Sequence, residues 1–163
     1  VDTVITRVSR EHRDIVRSFV TKHWGAFFVI KHGKRFDLGA LPGLIALRDG
    51  TITGLLLWED RGAEVELITL DAVPSRQGIG GSLVDTFMCE ALSPDCRRVS
   101  GTVTNDQLIA LRLLQKRGFR ITMVRPGAVD AAREIKPQIP VAGVDGIPLH
   151  DELDLVLVRS TRG

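Results

Sequence analysis

A strand that runs through a glycine-bearing turn straight into a helix constrains this chain more than any other stretch. The segment is Leu70-Asp71-Ala72-Val73-Pro74-Ser75-Arg76-Gln77-Gly78-Ile79-Gly80-Gly81-Ser82-Leu83. Main-chain N–H groups at a helix start lack intrahelical partners, and the helix dipole adds partial positive charge there. Glycines let a ligand come close to that backbone, so the junction suits a diphosphate. Two nucleotide loops are excluded. A Walker A loop requires Gly-Lys-Ser/Thr, and no lysine follows these glycines; the dinucleotide fingerprint requires glycine where Leu83 stands. A Gly-x-Gly turn alone is equally a tight strand-to-helix corner, so the rest of the chain must decide.

That remainder alternates strands and helices. A short strand over residues 3–8 leads to Ser9 as a helix N-cap, and Ile15, Val16, Phe19 and Val20 form one helical face that stops at Gly25. Residues 27–37 are ambiguous, apolar at first and then basic. Residues 44–47 and 52–58 read as a hairpin closed by Asp49-Gly50, and a third strand over 63–72 follows Arg61-Gly62. The helix after the glycine turn buries Ile79, Leu83, Val84, Phe87, Met88 and Ala91 as one stripe. Residues 98–103 are strand-like. Thr104 with Gln107 has a capping-box pattern, opening a helix with Leu108, Leu111 and Leu114 inward and Gly118 as its C-cap. A strand over 119–124, a short helix over 128–135, a proline-bearing loop over 137–150 and a strand over 153–158 complete an α/β domain around a mixed sheet. The 163 residues fit a single domain, residues 1–163.

Two segments together resemble the GNAT acetyltransferase superfamily. Gln77-Gly78-Ile79-Gly80, followed by a helix with Leu83-Val84, is similar to that family's pyrophosphate loop. Thr104-Asn105-Asp106-Gln107-Leu108-Ile109-Ala110-Leu111-Arg112-Leu113-Leu114-Gln115-Lys116-Arg117-Gly118-Phe119 resembles its second conserved segment. The tail, with Lys136-Pro137, Ile139-Pro140 and Asp145-Gly146-Ile147-Pro148, resembles a bacterial subgroup of the same family. The resemblance implies a mostly antiparallel sheet flanked by helices and acetyl-coenzyme A as co-substrate, with no metal. It implies that pantetheine lies along the third strand, bonded to the backbone at Leu70 and Ala72. The diphosphate then rests on Arg76, Gln77, Gly78, Ile79, Gly80, Gly81 and Ser82, and Asn105 reaches the coenzyme. An acceptor amine, on a small molecule or a protein, attacks the thioester directly. The resemblance also leaves a homodimer open.

Two positions depart from the family pattern. Ser75 stands where Arg or Gln usually begins the loop, with Arg76 and Gln77 beside it to supply charge and hydrogen bonding. Leu114 stands where the family often has a tyrosine that protonates the departing thiolate, and the chain contains no tyrosine at all. A thiol with a pKa of about 8.5 is a tolerable leaving group without that help. For the base, Glu64 and Glu66 share one strand face, and Glu66 lies nearer the expected parting of the strands. Asp71 reads as a turn residue, and His12, His23, His32 and His150 have no metal-ligand spacing. Two functions fit these residues: an N-acetyltransferase, or a domain that binds acyl-coenzyme A without turnover.

Bulk properties narrow the partners. A net charge of +2 is too mild to point to nucleic acid, although Arg97, Arg98, Arg112, Lys116, Arg117, Arg120 and Arg125 crowd the second half. That crowd is either a solvated basic face or the neighbourhood of a phosphate-rich ligand. No run of about 18 apolar residues is present to span a membrane, and residues 1–10 have no apolar signal-peptide core. Cys89 and Cys96 are too few for a disulfide framework, so reduced thiols and a cytoplasmic location are expected.

Overall fold

The computed structural model describes residues 2–160. Nine strands form in the order β1 (Val4–Arg7), β2 (Phe28–Lys31), β3 (Lys34–Asp37), β4 (Gly43–Arg48), β5 (Thr51–Asp60), β6 (Glu64–Ala72), β7 (Arg98–Thr104), β8 (Arg120–Arg125) and β9 (Glu152–Val158). The helices are α1 (Arg13–Trp24), α2 (Ile79–Thr86), α3 (Leu108–Lys116) and α4 (Ala128–Ile135). Seven strands make one sheet in the order β1-β4-β5-β6-β7-β9-β8, while β2 and β3 pair as a separate hairpin. Every neighbouring pair in the large sheet is antiparallel except β6–β7. The mixed, mostly antiparallel sheet flanked by helices is the architecture expected.

Strand β5 shows why both faces are covered. Its run Leu55-Leu56-Leu57-Trp58 is apolar throughout, so neither face can be left to water. Leu56 and Trp58 pack with Leu83, Val84, Phe87 and Leu114 under α2 and α3. Leu55 and Leu57 pack with Val16, Phe19, Val20, Val29 and Phe36 under α1 and the small hairpin.

The feature that positions the site lies in the middle of the sheet. Strand β6 pairs with β7 only from Glu64↔Arg98 to Leu67↔Gly101. Against β5, its register jumps from Trp58↔Leu67 to Leu57↔Thr69, so Ile68 is an extra residue. Such a bulge bends the strand and increases its local twist. Beyond it β6 follows β5 to Ala72, while β7 follows β9 as far as Thr104↔Glu152. The two central strands therefore part in a V that opens at Ile68 and Thr102.

Several expectations are corrected. Residues 27–37 form the β2–β3 hairpin, closed by His32 and Gly33 with φ of 52° and 68°, a primed turn that matches strand twist. The capping box at α3 is not made: Gln107 occupies the N-cap without a side-chain cap, and Thr104 Oγ1 donates to Asp106 instead. Ile15 and Leu108 are exposed rather than inward, at 42% and 54%. The long helix after the glycine turn is α2 continued by a wider π turn over Phe87–Ala91.

Gly54 on β5 seats α2. A Cβ there would lie 2.6 Å from Ile79 Cγ2, 2.9 Å from Leu83 Cδ1 and 3.2 Å from the Asp71 carbonyl. We expect Gly54→Ala to destabilise the fold by about 1–3 kcal/mol through overpacking, read as a lower urea midpoint with an unchanged slope.

Candidate active site

A cleft of about 630 Å³ occupies the V. Its inner walls are the parted ends of β6 and β7, with Leu67, Thr69, Leu70 and Asp71 facing Gly101, Thr102, Val103 and Thr104. Ala110 and Leu114 of α3 close one side, and His23 and Trp24, at the end of α1, close another. Strand β2 adds Val29, Ile30 and Lys31, and residues 138–149 form a roof with Ile139, Pro140, Val144 and Leu149.

The glycine turn stands at the end of β6. Gly78 has φ 78° and caps α2 without any side-chain hydrogen bond, so the first-turn amides of Ile79, Gly80 and Gly81 have no capping partner. Ser82 N–H is already bonded to the Gly78 carbonyl at 3.0 Å. Around Gly80 the space is open apart from Leu113 Cδ1, 3.4 Å from a hypothetical Cβ. Gly81 instead faces α3, where a Cβ would meet the Arg117 guanidinium at 2.7 Å. Arg117 is held there by two bonds to Asp85, at 2.7 and 2.9 Å, which raise its pKa and lower that of Asp85. Arg117 therefore fastens α3 to α2, and Arg125 likewise pairs with Asp154, so part of the basic crowd is structural. Leu70 and Ala72 lie beyond the last β6–β7 pair, where the β6 edge facing β7 has no strand partner. Gln77 Oε1 accepts a bond from Arg48 at 3.3 Å, and Arg76 is exposed with φ 66°.

Asn105 sits differently from the expectation. Its Nδ2 donates to the Pro148 carbonyl at 2.8 Å, and its Oδ1 accepts from the His150 and Asp151 amides, each at 2.9 Å. It does not line the cleft; it ties β7 to the segment before β9. Glu66 is buried, but its Oε1 accepts from Arg61 at 3.3 Å and its Oε2 has no hydrogen-bond partner. It lines a separate cavity of about 130 Å³ with His32 and Asp154, which touches the large cleft only at Gly101 and Thr102. Glu64 is exposed.

The charged groups that do line the cleft escaped the sequence reading. Asp71 is a strand residue, not a turn residue, and its Oδ2 accepts from Trp24 Nε1 at 3.0 Å. Burial pushes its carboxyl up to about 6, with the Trp24 bond and the His23 and Lys31 charges opposing. Lys31 Nζ donates to the Thr102 carbonyl at 3.0 Å, and Lys136 Nζ to the Phe28 carbonyl at 2.7 Å. Burial lowers both amines. His23 Nδ1 lies 2.7 Å from the Phe19 carbonyl; since a carbonyl only accepts, that nitrogen carries a proton and donates it there. Thr69 is 3% exposed and its Oγ1 has no partner. Alternation could have flagged Thr69 and Asp71 as one strand face; the lysines come from distant parts of the chain and carried no local signal.

The roof is built rather than slack. Arg133 of α4 donates to the carbonyls of Ile139, Pro140 and Leu149 at 3.1, 2.8 and 2.8 Å. Asp106 Oδ2 accepts from the Val144 amide at 2.9 Å, and Gly143 N–H bonds to the Ile147 carbonyl at 2.8 Å. Among the described residues, no cluster of three His, Cys, Asp or Glu side chains is placed to hold a metal ion. None of their helices is long and apolar enough to cross a membrane.

Residues 9–119 match the model of the Acetyltransferase (GNAT) family, and the chain belongs to that family. It is 33% identical over 145 residues to an uncharacterised protein, YxbD, of Bacillus subtilis, covering 88% of this chain and 91% of that one. The fold is shared with a GNAT family acetyltransferase from Elizabethkingia anophelis, solved with acetyl-CoA bound: 18% identity, 96% and 98% of the chains covered, TM-score 0.66. It is also shared with yncA, a putative acetyltransferase from Salmonella typhimurium solved with its cofactor acetyl-CoA: 14% identity, 100% and 97% covered, TM-score 0.69.

An orphaned buried hydroxyl is a cost to the fold that a ligand can relieve. We expect Thr69→Val to leave stability unchanged or to raise it by about 1 kcal/mol, while weakening binding in the cleft. Thermal denaturation and coenzyme calorimetry on the same sample check both halves.

Proposed function

We propose that the chain is an N-acetyltransferase that transfers an acetyl group from acetyl-coenzyme A to an amine by direct attack in a ternary complex. The observation that carries this reading is the V between β6 and β7, set end to end with the uncapped amides of α2. The residues present fit the coenzyme. The free β6 edge around Leu70 and Ala72 suits an extended amide-bearing arm, and the amides from Ile79 to Gly81, in open space beside Gly80, suit a diphosphate. Arg76 and Gln77 stand at the mouth of that turn. Asn105 acts on the site from behind, by holding residues 148–151. The acceptor is a small-molecule or protein amine that enters from the α1 and β2 side.

Asp71 is the better-placed proton acceptor. It lines the cleft, whereas Glu66 would have to act through water in the small cavity and is held by Arg61. With its carboxyl pushed up to about 6, Asp71 is ionised at neutral pH yet basic enough to take a proton. The sign is plain: protonation as pH falls through about 6 removes the base. No tyrosine is available to protonate the leaving group, so coenzyme A would depart as a thiolate, which is tolerable for a simple thiol with a pKa of about 8.5. Leu114, buried at 3%, packs against the cleft in that position.

Free-thiol release from acetyl-coenzyme A over a panel of amines tests the activity. Asp71→Asn should lower turnover by about 10²-fold or more and abolish the acid limb of the pH profile, with Glu66→Gln close to wild type. The opposite order would return the base to Glu66. Gly80→Asp puts a carboxylate where the diphosphate would lie without a steric clash against the fold, and should weaken acetyl-coenzyme A by at least about tenfold in calorimetry. Unchanged affinity in a folded variant would remove the coenzyme from this site, and a protein that binds it yet releases no thiol with any amine would be a sensor instead.

A further inference from the structure

Lys31 is in an unusual place. It ends β2, outside the large sheet, and its Nζ reaches the carbonyl of Thr102 at 3.0 Å. Thr102 is the first β7 residue beyond the last β6–β7 pair, Leu67↔Gly101. The amine therefore stands in the apex of the V, towards which an arm running from the Ile79–Gly81 amides along Ala72 and Leu70 would carry its thioester end. Only one of its three N–H bonds has a protein partner among the described residues.

The surroundings do not fix it as a permanent cation. Glu66 and Asp71 of β6 and Glu152 and Asp154 of β9 all favour the charged form, yet burial outweighs them and the amine stays below the ordinary lysine range. A larger fraction than usual is thus the neutral nucleophile at physiological pH. No other lysine shares this position. Lys136 is anchored on the Phe28 carbonyl, three residues down β2 or roughly 10 Å at strand rise, and Lys22, Lys34 and Lys116 are exposed.

We propose that Lys31 is an acyl acceptor within the protein's own site, acetylated on Nζ by the bound acetyl-coenzyme A. The inference rests on the acetyltransferase reading. The lone pair of neutral Nζ forms a bond to the thioester carbonyl carbon, and the C–S bond breaks with its electron pair going to sulfur. The nitrogen loses one proton and the thiolate gains one, so the products are an amide and the coenzyme thiol. The amide is uncharged and bulkier, and it fills the apex that an external amine has to enter. Self-acetylation would therefore limit transfer to other acceptors.

The test needs no acceptor. Protein whose Lys31 is shown by mass to be unmodified is incubated with acetyl-coenzyme A alone and followed by peptide mass spectrometry. Templated transfer should acetylate Lys31 at least about tenfold faster than Lys136, Lys22, Lys34 or Lys116. Excess free coenzyme A should slow it, and a Lys31→Arg protein that still binds the coenzyme should gain no comparable label. Lys31 left unmodified while calorimetry shows acetyl-coenzyme A bound would overturn the proposal, with the acetyltransferase reading intact. Lys31 labelled no faster than Lys34, or labelled equally with free coenzyme A present, would also overturn it. Absence of coenzyme binding would remove the acetyltransferase reading and this inference with it.

Discussion

Two interior strands that stop pairing halfway along their length are the constraint on which the rest depends. A buried peptide group without a partner is costly, and a sheet interior normally leaves none. Here the parallel ladder ends at Leu67↔Gly101, although both strands continue. Ile68, the extra residue against β5, turns the far half of β6 away, and β9 keeps β7 on its own course. The resulting edges are satisfied in part from inside, by Lys31 on the Thr102 carbonyl, and otherwise lie open to a ligand. In the proposed reading, a coenzyme arm lying along the β6 edge would complete a sheet left incomplete by the fold.

Burial then sets the chemistry of the opened space. It disfavours the charged form of an acid and of an amine alike, so Asp71 rises to about 6 while Lys31 and Lys136 fall. Groups that would be fixed ions on the surface are held less firmly in their charged forms. That is the environment in which an amine must lose a proton to attack, and clusters of opposed shifts of this kind are characteristic of working sites.

What the sequence made legible was local. The glycine turn, the Asp49-Gly50 hairpin and the succession of strands and helices other than β2 and β3 follow from neighbouring residues, and each has its counterpart in the structure. The hairpin over residues 27–37 was obscured because Lys31, Lys34 and Arg35 break its apolar alternation, yet Lys31 points its amine into protein rather than water. Asp71 looked like a turn residue because Pro74 and Gly78 follow closely; its strand pairing with Leu55 is a tertiary fact. Glu66 lies near the parting in sequence, but its carboxylate lines the small cavity with His32 and Asp154, while Leu67 beside it faces the cleft. Asn105 carried the family pattern, while its bonds go to residues more than forty positions away.

Residues 137–150, read from the sequence as a proline-bearing loop, form a hydrogen-bonded wall of the cleft. One guanidinium, that of Arg133, gathers three of their carbonyls, and Asp106 holds the Val144 amide from the opposite side. Ordering a free segment costs about 1–2 kcal/mol for each residue immobilised. Because that loss is incurred once, when the chain folds, it does not recur at each encounter with an acceptor. A mould already set selects among guests by outline: a molecule of the wrong shape meets a rigid surface, and the right one need not wait for a door to form.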